Sequence, residues 1–317
     1  MTALSLVKTY TFSVNNTLPT SGVLLTDNRN LMLKLKQLMV VAGGVVQSSS
    51  AGAGSYSAAD NWGSDITKLV WNNAGSNHSW IVIRFASISS TYEVCLSCGT
   101  ASSYNATIVW SQGGFSGGSA TARPTATDEK ILVSTSTWGG NNSTSKSYVM
   151  HCMYSTDGQV VRIITYENNL PVMYYAFEKA QNPKSGWTTP SVCSVLATSS
   201  GASCMTSALL FGGVYGYGYA SATSMPLYLG TESYAGNSHL GANIGVPNDF
   251  DTTYPCTPCS FVSTTSPVRG RHGTAFDLWG GNAANAQGTY YPSGASKAYV
   301  QCGSLVLPWD GSTILLA

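Results

Sequence analysis

Ser79-Trp80-Ile81-Val82-Ile83-Arg84-Phe85 is the stretch that decides the fold class. In an extended chain successive side chains point to opposite faces, so Trp80, Val82 and Arg84 share one side and Ile81, Ile83 and Phe85 the other. Both sides are largely apolar. A strand with one wet face alternates apolar and polar residues. This one instead reads as a central strand with Trp80 buried.

Further short strands are predicted around it, at Lys68–Trp71, Tyr92–Leu96, Thr107–Ser111, Lys130–Ser134, Ser147–Tyr154, Val160–Tyr166 and Val172–Phe177. Turn residues separate them, as in Asn72-Asn-Ala-Gly-Ser-Asn77. Lys8–Asn15 alternates cleanly, with Tyr10, Phe12 and Val14 on one face. One helix is predicted from Asp27. Leu31, Leu35, Leu38 and Met39 recur at helical spacing, Thr26 or Asp27 caps the start, and Gly43-Gly44 ends it. No βαβ alternation occurs, which argues against a doubly wound sheet. The expectation is therefore a mainly β chain: an antiparallel sandwich or barrel-like domain with one short N-terminal helix and long ordered loops.

Three regions are expected. Residues 1–45 form a strand and helix packed on the main domain, and 46–180 form the β-sandwich core. Residues 181–317 are loop-rich, with C-terminal strands completing the same or a second β domain. Gln47–Ala59, rich in Ser, Gly and Ala, reads as a flexible surface loop. Gln181–Pro267 reads as long ordered loops, because Tyr215, Tyr217, Tyr219, Tyr228 and Tyr234 are too many aromatics for a disordered linker. Lys297–Gln301 and Ser304–Leu307 read as two closing strands.

Composition narrows function. Lys, Arg, Asp and Glu together make up 9% of the 317 residues, against about 25% in an ordinary soluble protein. Yet 43% of the chain is hydrophobic, with 18 Tyr, 8 Trp and 8 Phe. No apolar run approaches the roughly 20 residues of a membrane-spanning helix. The polar surface must be built from Ser, Thr, Asn, Gln and Gly, and such a surface protects a free monomer poorly against association. A net charge of +1 argues against nucleic acid as partner. The densest basic cluster, Arg269, Arg271 and His272, reads as a tether within a glycine loop. The N-terminus lacks the charged and apolar regions of a secretion leader.

Eight cysteines stand at 95, 98, 152, 193, 204, 256, 259 and 302. Cys95, Cys98, Cys256 and Cys259 form two CxxC pairs, which could give a four-thiolate zinc centre. The gap between the pairs exceeds that of a compact zinc ribbon. Cys95 and Cys98 also lie in a strand, where positions i and i+3 face opposite ways. Cys256-Thr-Pro-Cys259, flanked by Pro255, reads as a loop. Buried thiols are the default reading, with disulfides formed after release from the cell and metal as the alternatives.

The search for a reaction is negative. Gly114-Phe-Ser116-Gly-Gly118 matches the nucleophile-elbow pattern, but the glycine-rich run after Ser116 cannot start the helix an elbow requires. His78 has no local partner to make it a general base. His151 and Cys152 are strand neighbours and face opposite ways. Asn248, Asp249 and Asp251 could hold a Ca²⁺ with backbone carbonyls but lack the distal Glu of an EF-hand. Asp128-Glu129 reads as a polar turn opening the strand at Lys130. No catalytic residue, cofactor site or metal site is assigned. The aromatic supply leaves sugar binding or a protein interface open.

Three segments taken together resemble a family of tailed-bacteriophage virion structural proteins: Asn77-His-Ser-Trp80 through Phe85, Phe115 through Pro124-Thr-Ala-Thr-Asp128-Glu129, and Phe276-Asp-Leu-Trp279 through Gly303-Ser-Leu-Val-Leu-Pro-Trp309-Asp-Gly311. The resemblance implies a non-enzymatic component of the mature particle, made in the bacterial host cytoplasm and located in the virion. Head decoration, neck and tail are all open. It implies other virion subunits and further copies of the chain as partners. The alternative is a receptor- or glycan-binding module of a tail or fibre, with a host glycan as partner.

Overall fold

The computed structural model describes the backbone of residues 4–15, 26–52, 56–69, 79–100, 103–134, 145–167, 170–179, 191–197, 227–230, 256–263, 270–278, 289–290, 299–302 and 305–308. Side chains are described chiefly within 32–52, 56–69, 79–98, 107–129 and 150–179. Among the described residues the chain is mainly β, in antiparallel sheets, with one helix of 16 residues.

The described chain divides into two compact units, Tyr10–Tyr148 and Met1–Thr9 with Val149–Ala317. β10 (Leu170–Lys179) pairs antiparallel with β11 (Ser191–Ala197), from Met173 opposite Ala197 to Lys179 opposite Ser191.

In the first unit the strands are β2 (Val45–Ala51), β3 (Tyr56–Ser57), β4 (Ser79–Arg84), β5 (Glu93–Thr100), β6 (Ser103–Ser111) and β7 (Lys130–Ser134). Their order in the sheet is β3-β2-β4-β5-β6-β7. β4 is interior, as its apolar faces require. Trp80 lies opposite Ser50 on one side and Ser97 on the other, and Val82 opposite Ser48 and Cys95. Trp80, Ile81 and Ile83 are fully buried.

Helix α1 (Thr26–Val41) covers one face of this sheet, packing on β4, β5 and β6. Met32, Leu35, Leu38, Met39 and Ala42 are buried. The side chain of Leu31 lies outside the described residues. Gly43, at φ 96°, closes the helix by donating to Val40 O, and Gly44 donates to Met39 O. Gly44 is also a close-approach position. A Cβ there would fall 2.5 Å from Cγ2 of Ile83 and 2.8 Å from the Met39 carbonyl. Lys36 of α1 ion-pairs with Asp60 and donates to Gly63 O at 2.6 Å. Asp60 in turn accepts the N–H groups of Trp62 and Gly63, which fixes that corner to the helix.

Gln47–Ala59 is not a flexible loop where it is described. Val45–Ala51 forms β2, paired antiparallel with β4. Ser49 and Ser50 are fully buried. Their hydroxyls satisfy backbone groups: Ser49 donates to Ala59 O and accepts from Asn61 N, and Ser50 donates to Ala120 O. A serine run reads as a loop because hydroxyls compete for the backbone. Here they serve neighbouring segments instead. Of the strand expected at Lys68–Trp71, Lys68 instead ends the 3-10 turn Ile66–Lys68, and Val70 and Trp71 lie outside the described residues.

Two further sheets are described. One has the order β1-β8-β9-β10-β11, with β1 (Leu4–Asn15), β8 (Ser145–Ser155) and β9 (Val160–Glu167). The other has the order β12-β13-β14-β17-β16-β15, with β12 (Leu227–Gly230), β13 (Cys256–Ser263), β14 (Gly270–Leu278), β15 (Thr289–Tyr290), β16 (Tyr299–Cys302) and β17 (Leu305–Pro308). Most of Gln181–Pro267, read as long ordered loops, lies outside the described residues. What is described there is strand. Tyr175 and Phe177 stack with centroids 6.4 Å apart and rings within 2° of parallel. On the opposite face of β9 and β10, Arg162 and Glu178 form an ion pair at 3.7 Å, both side chains fully buried.

Two stability predictions follow. Trp80→Ala empties a fully buried site and is expected to cost roughly 3–5 kcal/mol in urea denaturation followed by fluorescence. A loss under about 1 kcal/mol would place Trp80 at the surface. Arg162→Met alone strands a buried carboxylate and is expected to cost about 3–5 kcal/mol, whereas Arg162→Met with Glu178→Leu is expected to recover most of that loss. Equal losses in the single and double variants would contradict the assignment.

Candidate functional site

The second face of the first unit's sheet carries Trp80, Val82, Cys95 and Val109, and Phe115 packs against them. Its cover is the segment Ser111–Glu129, which leaves the end of β6 and returns to start β7. The segment reaches back across the sheet. The Trp80 indole donates to Ser119 O at 2.9 Å, and Ser50 Oγ on β2 donates to Ala120 O at 3.2 Å. Its glycines make the path feasible. Gly114, Gly117 and Gly118 have φ of 85°, 74° and 95°, and a Cβ on Gly118 would touch the Trp80 ring at 3.0 Å.

Three carboxylates hold this segment. Glu93 on β5 accepts both Nε and Nη2 of Arg84 on one oxygen, at 2.8 and 2.6 Å, and the Phe115 N–H on the other at 2.6 Å. Asp128 accepts the Ser111 hydroxyl at 2.6 Å and the N–H groups of Gln112 and Gly113 at 2.9 Å each. Glu129 accepts the Arg123 guanidinium at 3.0 and 2.8 Å and the Ala126 N–H at 3.1 Å. Thr91 ties Gln112 O from the neighbouring turn. Asp128-Glu129 is thus more than a polar turn. A buried Glu93 between Tyr92 and Val94 was the one signal in the sequence, because a buried carboxylate needs donors.

The Arg123 hydrogen bond holds the Glu129 carboxyl below its usual range, reinforced by the Ala126 N–H against a desolvation that acts the other way. Its folded value lies below its unfolded one. Its stabilising contribution is therefore present above the ordinary carboxylate range and is lost as pH falls through the lowered value.

Ser116 sits in this cover without the surroundings of a nucleophile. It pairs with Thr125 in an antiparallel bridge, and a turn at Ser119–Ala122 follows it where an elbow needs a helix. Cys95 and Cys98 are both buried on β5, on opposite faces: Cys95 under Phe115, Cys98 three residues on. Burial pushes the Cys95 thiol up to about 12, and the Cys152 thiol likewise. Cys95 is therefore protonated at neutral pH and is a poor thiolate donor. Cys256 and Cys259 belong to β13 in the other unit, whose described residues stop at the backbone. They lie in a strand, not a loop. Pro258 is accommodated where the β13–β14 register shifts between Pro258 and Ser260, the kind of position at which a sheet tolerates proline. Among the described residues no group of three or more His, Cys, Asp and Glu is arranged to hold a metal ion.

Arg271 and His272 also stand in a strand, β14, with Arg271 opposite Ser260. The glycine-loop reading is corrected there, since Gly270 pairs with Phe261 and Arg271 with Ser260 of β13. His78, Asp249, Asp251 and Arg269 lie outside the described residues, as does the side chain of His151. Among the described residues no helix is long and apolar enough to cross a membrane. No family model, curated protein or solved structure matches this chain.

Asp128→Ala is expected to release the Gln112 and Gly113 amides. It should cost about 1–3 kcal/mol and raise hydrogen exchange at those two amides and at Phe115. Unchanged protection there would show that the cover does not depend on Asp128.

Proposed function

We propose that this chain is a non-enzymatic structural subunit of a phage particle, acting through protein–protein packing with other virion subunits and with copies of itself. The observation that carries the reading is where the charges go. In a chain with 9% charged residues, Lys36, Arg84, Glu93, Arg123, Asp128, Glu129, Arg162 and Glu178 all bond within the fold. A chain with so few charged side chains keeps its copies apart weakly in solution, a composition suited to a surface covered by neighbours. Val40, Val41 and Val45 add exposed apolar surface at the end of α1 and the start of β2. Each of Glu93, Asp128 and Glu129 accepts three hydrogen bonds within the fold, which suits scaffolding better than acid–base work. The resemblance to tailed-phage virion proteins points the same way. The virion is the proposed location, after synthesis in the host cytoplasm.

A glycan- or receptor-binding role has one observation in its favour. Tyr56 is 52% exposed, with its ring 5.7 Å from that of Trp80. One aromatic is a thin platform for a sugar, and Trp80 itself is buried, so the structural reading is preferred.

Gradient-purified phage particles from a lysate containing this protein provide the test, by peptide mass spectrometry and cross-linking. The chain is expected to sediment with intact particles and cross-link to other virion subunits over broad surfaces. Recovery only as free protein would refute the proposal. Loss of host-cell adsorption with Tyr56→Ser, at unchanged particle assembly, would favour the binding role.

A further inference from the structure

We propose that Gln112–Glu129 is a self-braced flap that swings off the sheet as one body, uncovering the apolar strip of Trp80, Val82, Cys95 and Val109 while the strands stay paired. This inference does not depend on the role proposed above.

The segment is bonded to itself from neck to tip. Ser116 and Thr125 exchange N–H···O bonds at 2.9 and 3.1 Å, which joins its two limbs. Ser119 closes the tip. Its N–H donates to Ala122 O, and its hydroxyl accepts the N–H groups of Thr121 and Ala122. Glu129 holds the Arg123 guanidinium and the Ala126 N–H. At the neck Asp128 gathers the N–H groups of Gln112 and Gly113, so the two ends of the segment are held together. None of these bonds involves the sheet beneath. A loop whose ends are close and whose interior is bonded by its own groups behaves as a compact unit.

Four described hydrogen bonds tie this body to the strands and turn beneath it. Near the neck, Thr91 donates its hydroxyl to Gln112 O at 2.7 Å, and Glu93 accepts the Phe115 N–H at 2.6 Å. At the tip, the Trp80 indole donates to Ser119 O at 2.9 Å, and the Ser50 hydroxyl to Ala120 O at 3.2 Å. The apolar attachment is light. Phe115 is half-buried against the strip, and Ser116 through Ser119 are exposed. Gly113, Gly114, Gly117 and Gly118 have no side chains to interlock with the strands.

A body bonded mainly to itself and tied outward at few points opens at less cost than unfolding the strands it covers. The geometry supplies the hinge. Trp110 on β6 pairs with Lys130 on β7, the last strand in the order of this sheet, so the flap leaves and rejoins the sheet at one place. Turning about that place breaks the four ties and leaves the β6–β7 pairing intact. Phe115 travels with the flap, so the strip beneath it is bared. The Trp80 indole N–H, the Ser50 hydroxyl and one Glu93 oxygen lose their flap partners in the same event. Because the ties stand at both the neck and the tip, a rigid flap makes or breaks them together.

Two sets of protons supply the readout. The Trp80 indole N–H and the Phe115 amide are bonded across the interface, at opposite ends of the flap, whereas the Ser116 and Thr125 amides are bonded inside it. Native-state hydrogen exchange on the full chain, read by NMR and corrected for intrinsic rates, separates the sets. The Trp80 indole and Phe115 amide are expected to share one opening constant and one urea dependence, and to exchange faster than Ser116, Thr125 and the β4 amides. Ser50→Ala removes a tie at the tip. It is expected to speed both interface protons by about two- to tenfold, Phe115 at the far end included, with Ser116 and Thr125 unchanged. Thr91→Val, which removes a tie near the neck, is expected to do the same and serves should Ser50→Ala not fold. Exchange of the Trp80 indole only at the rate of the β4 amides would overturn the proposal, because the flap would then open only with global unfolding. So would exchange of Ser116 and Thr125 as fast as Phe115, which would mean unravelling, or acceleration of the Trp80 indole alone in Ser50→Ala.

Discussion

Strand β4 sends Ile81 and Ile83 to one side of its sheet and Trp80 and Val82 to the other, and these four side chains retain at most 2% of their surface. A sheet built around such a strand must be covered twice. The burial of a large aliphatic or aromatic side chain is worth about 1.5–3 kcal/mol, so neither face can stay wet. Helix α1 meets one requirement. The other is met by the irregular segment Ser111–Glu129, where a second sheet or helix would be the commoner solution. Gly44 on the helix side and Gly118 on the loop side follow directly, because each is a place where a cover comes too close for a Cβ.

An irregular cover carries many backbone N–H and C=O groups into contact with an apolar face, and each must find a partner. This chain meets that demand with hydroxyls and a few charges. Ser49, Ser50 and Thr91 serve backbone groups of neighbouring segments, and Ser97 and Thr107 bond each other across β5 and β6 at 3.0 Å. Glu93, Asp128 and Glu129 gather the N–H groups that hydroxyls do not reach. The same economy of charge leaves a weakly charged exterior. Internal satisfaction is thus a consequence of the same composition on which the proposed packing role rests.

Where the reading of the sequence and the structure part, the reason is local chemistry overruled by pairing. Gln47–Ala51 has the composition of a loop, yet β4 offers it an edge and its serines find backbone partners, so it is a strand. Cys256-Thr-Pro-Cys259 has the prolines of a loop, yet a register shift absorbs Pro258. Arg271 has glycine neighbours, yet it pairs with Ser260 of β13. In each case the deciding partner is distant in sequence. Asp128 was hidden for the same reason. Its three donors are Ser111, Gln112 and Gly113, more than a dozen residues away.

The sequence by itself determined the mainly β class, the helix at Thr26–Val41 and the interior place of Ser79–Arg84. These rest on periodicity and capping, which neighbouring residues encode. It also determined that Cys95 and Cys98 face apart, because strand alternation is local. Only the tertiary structure decided what covers each face of the sheet, which carboxylates hold the cover, and where the compact units divide. Those outcomes depend on which donors reach which acceptors once distant strands are paired, and no local pattern carries that information.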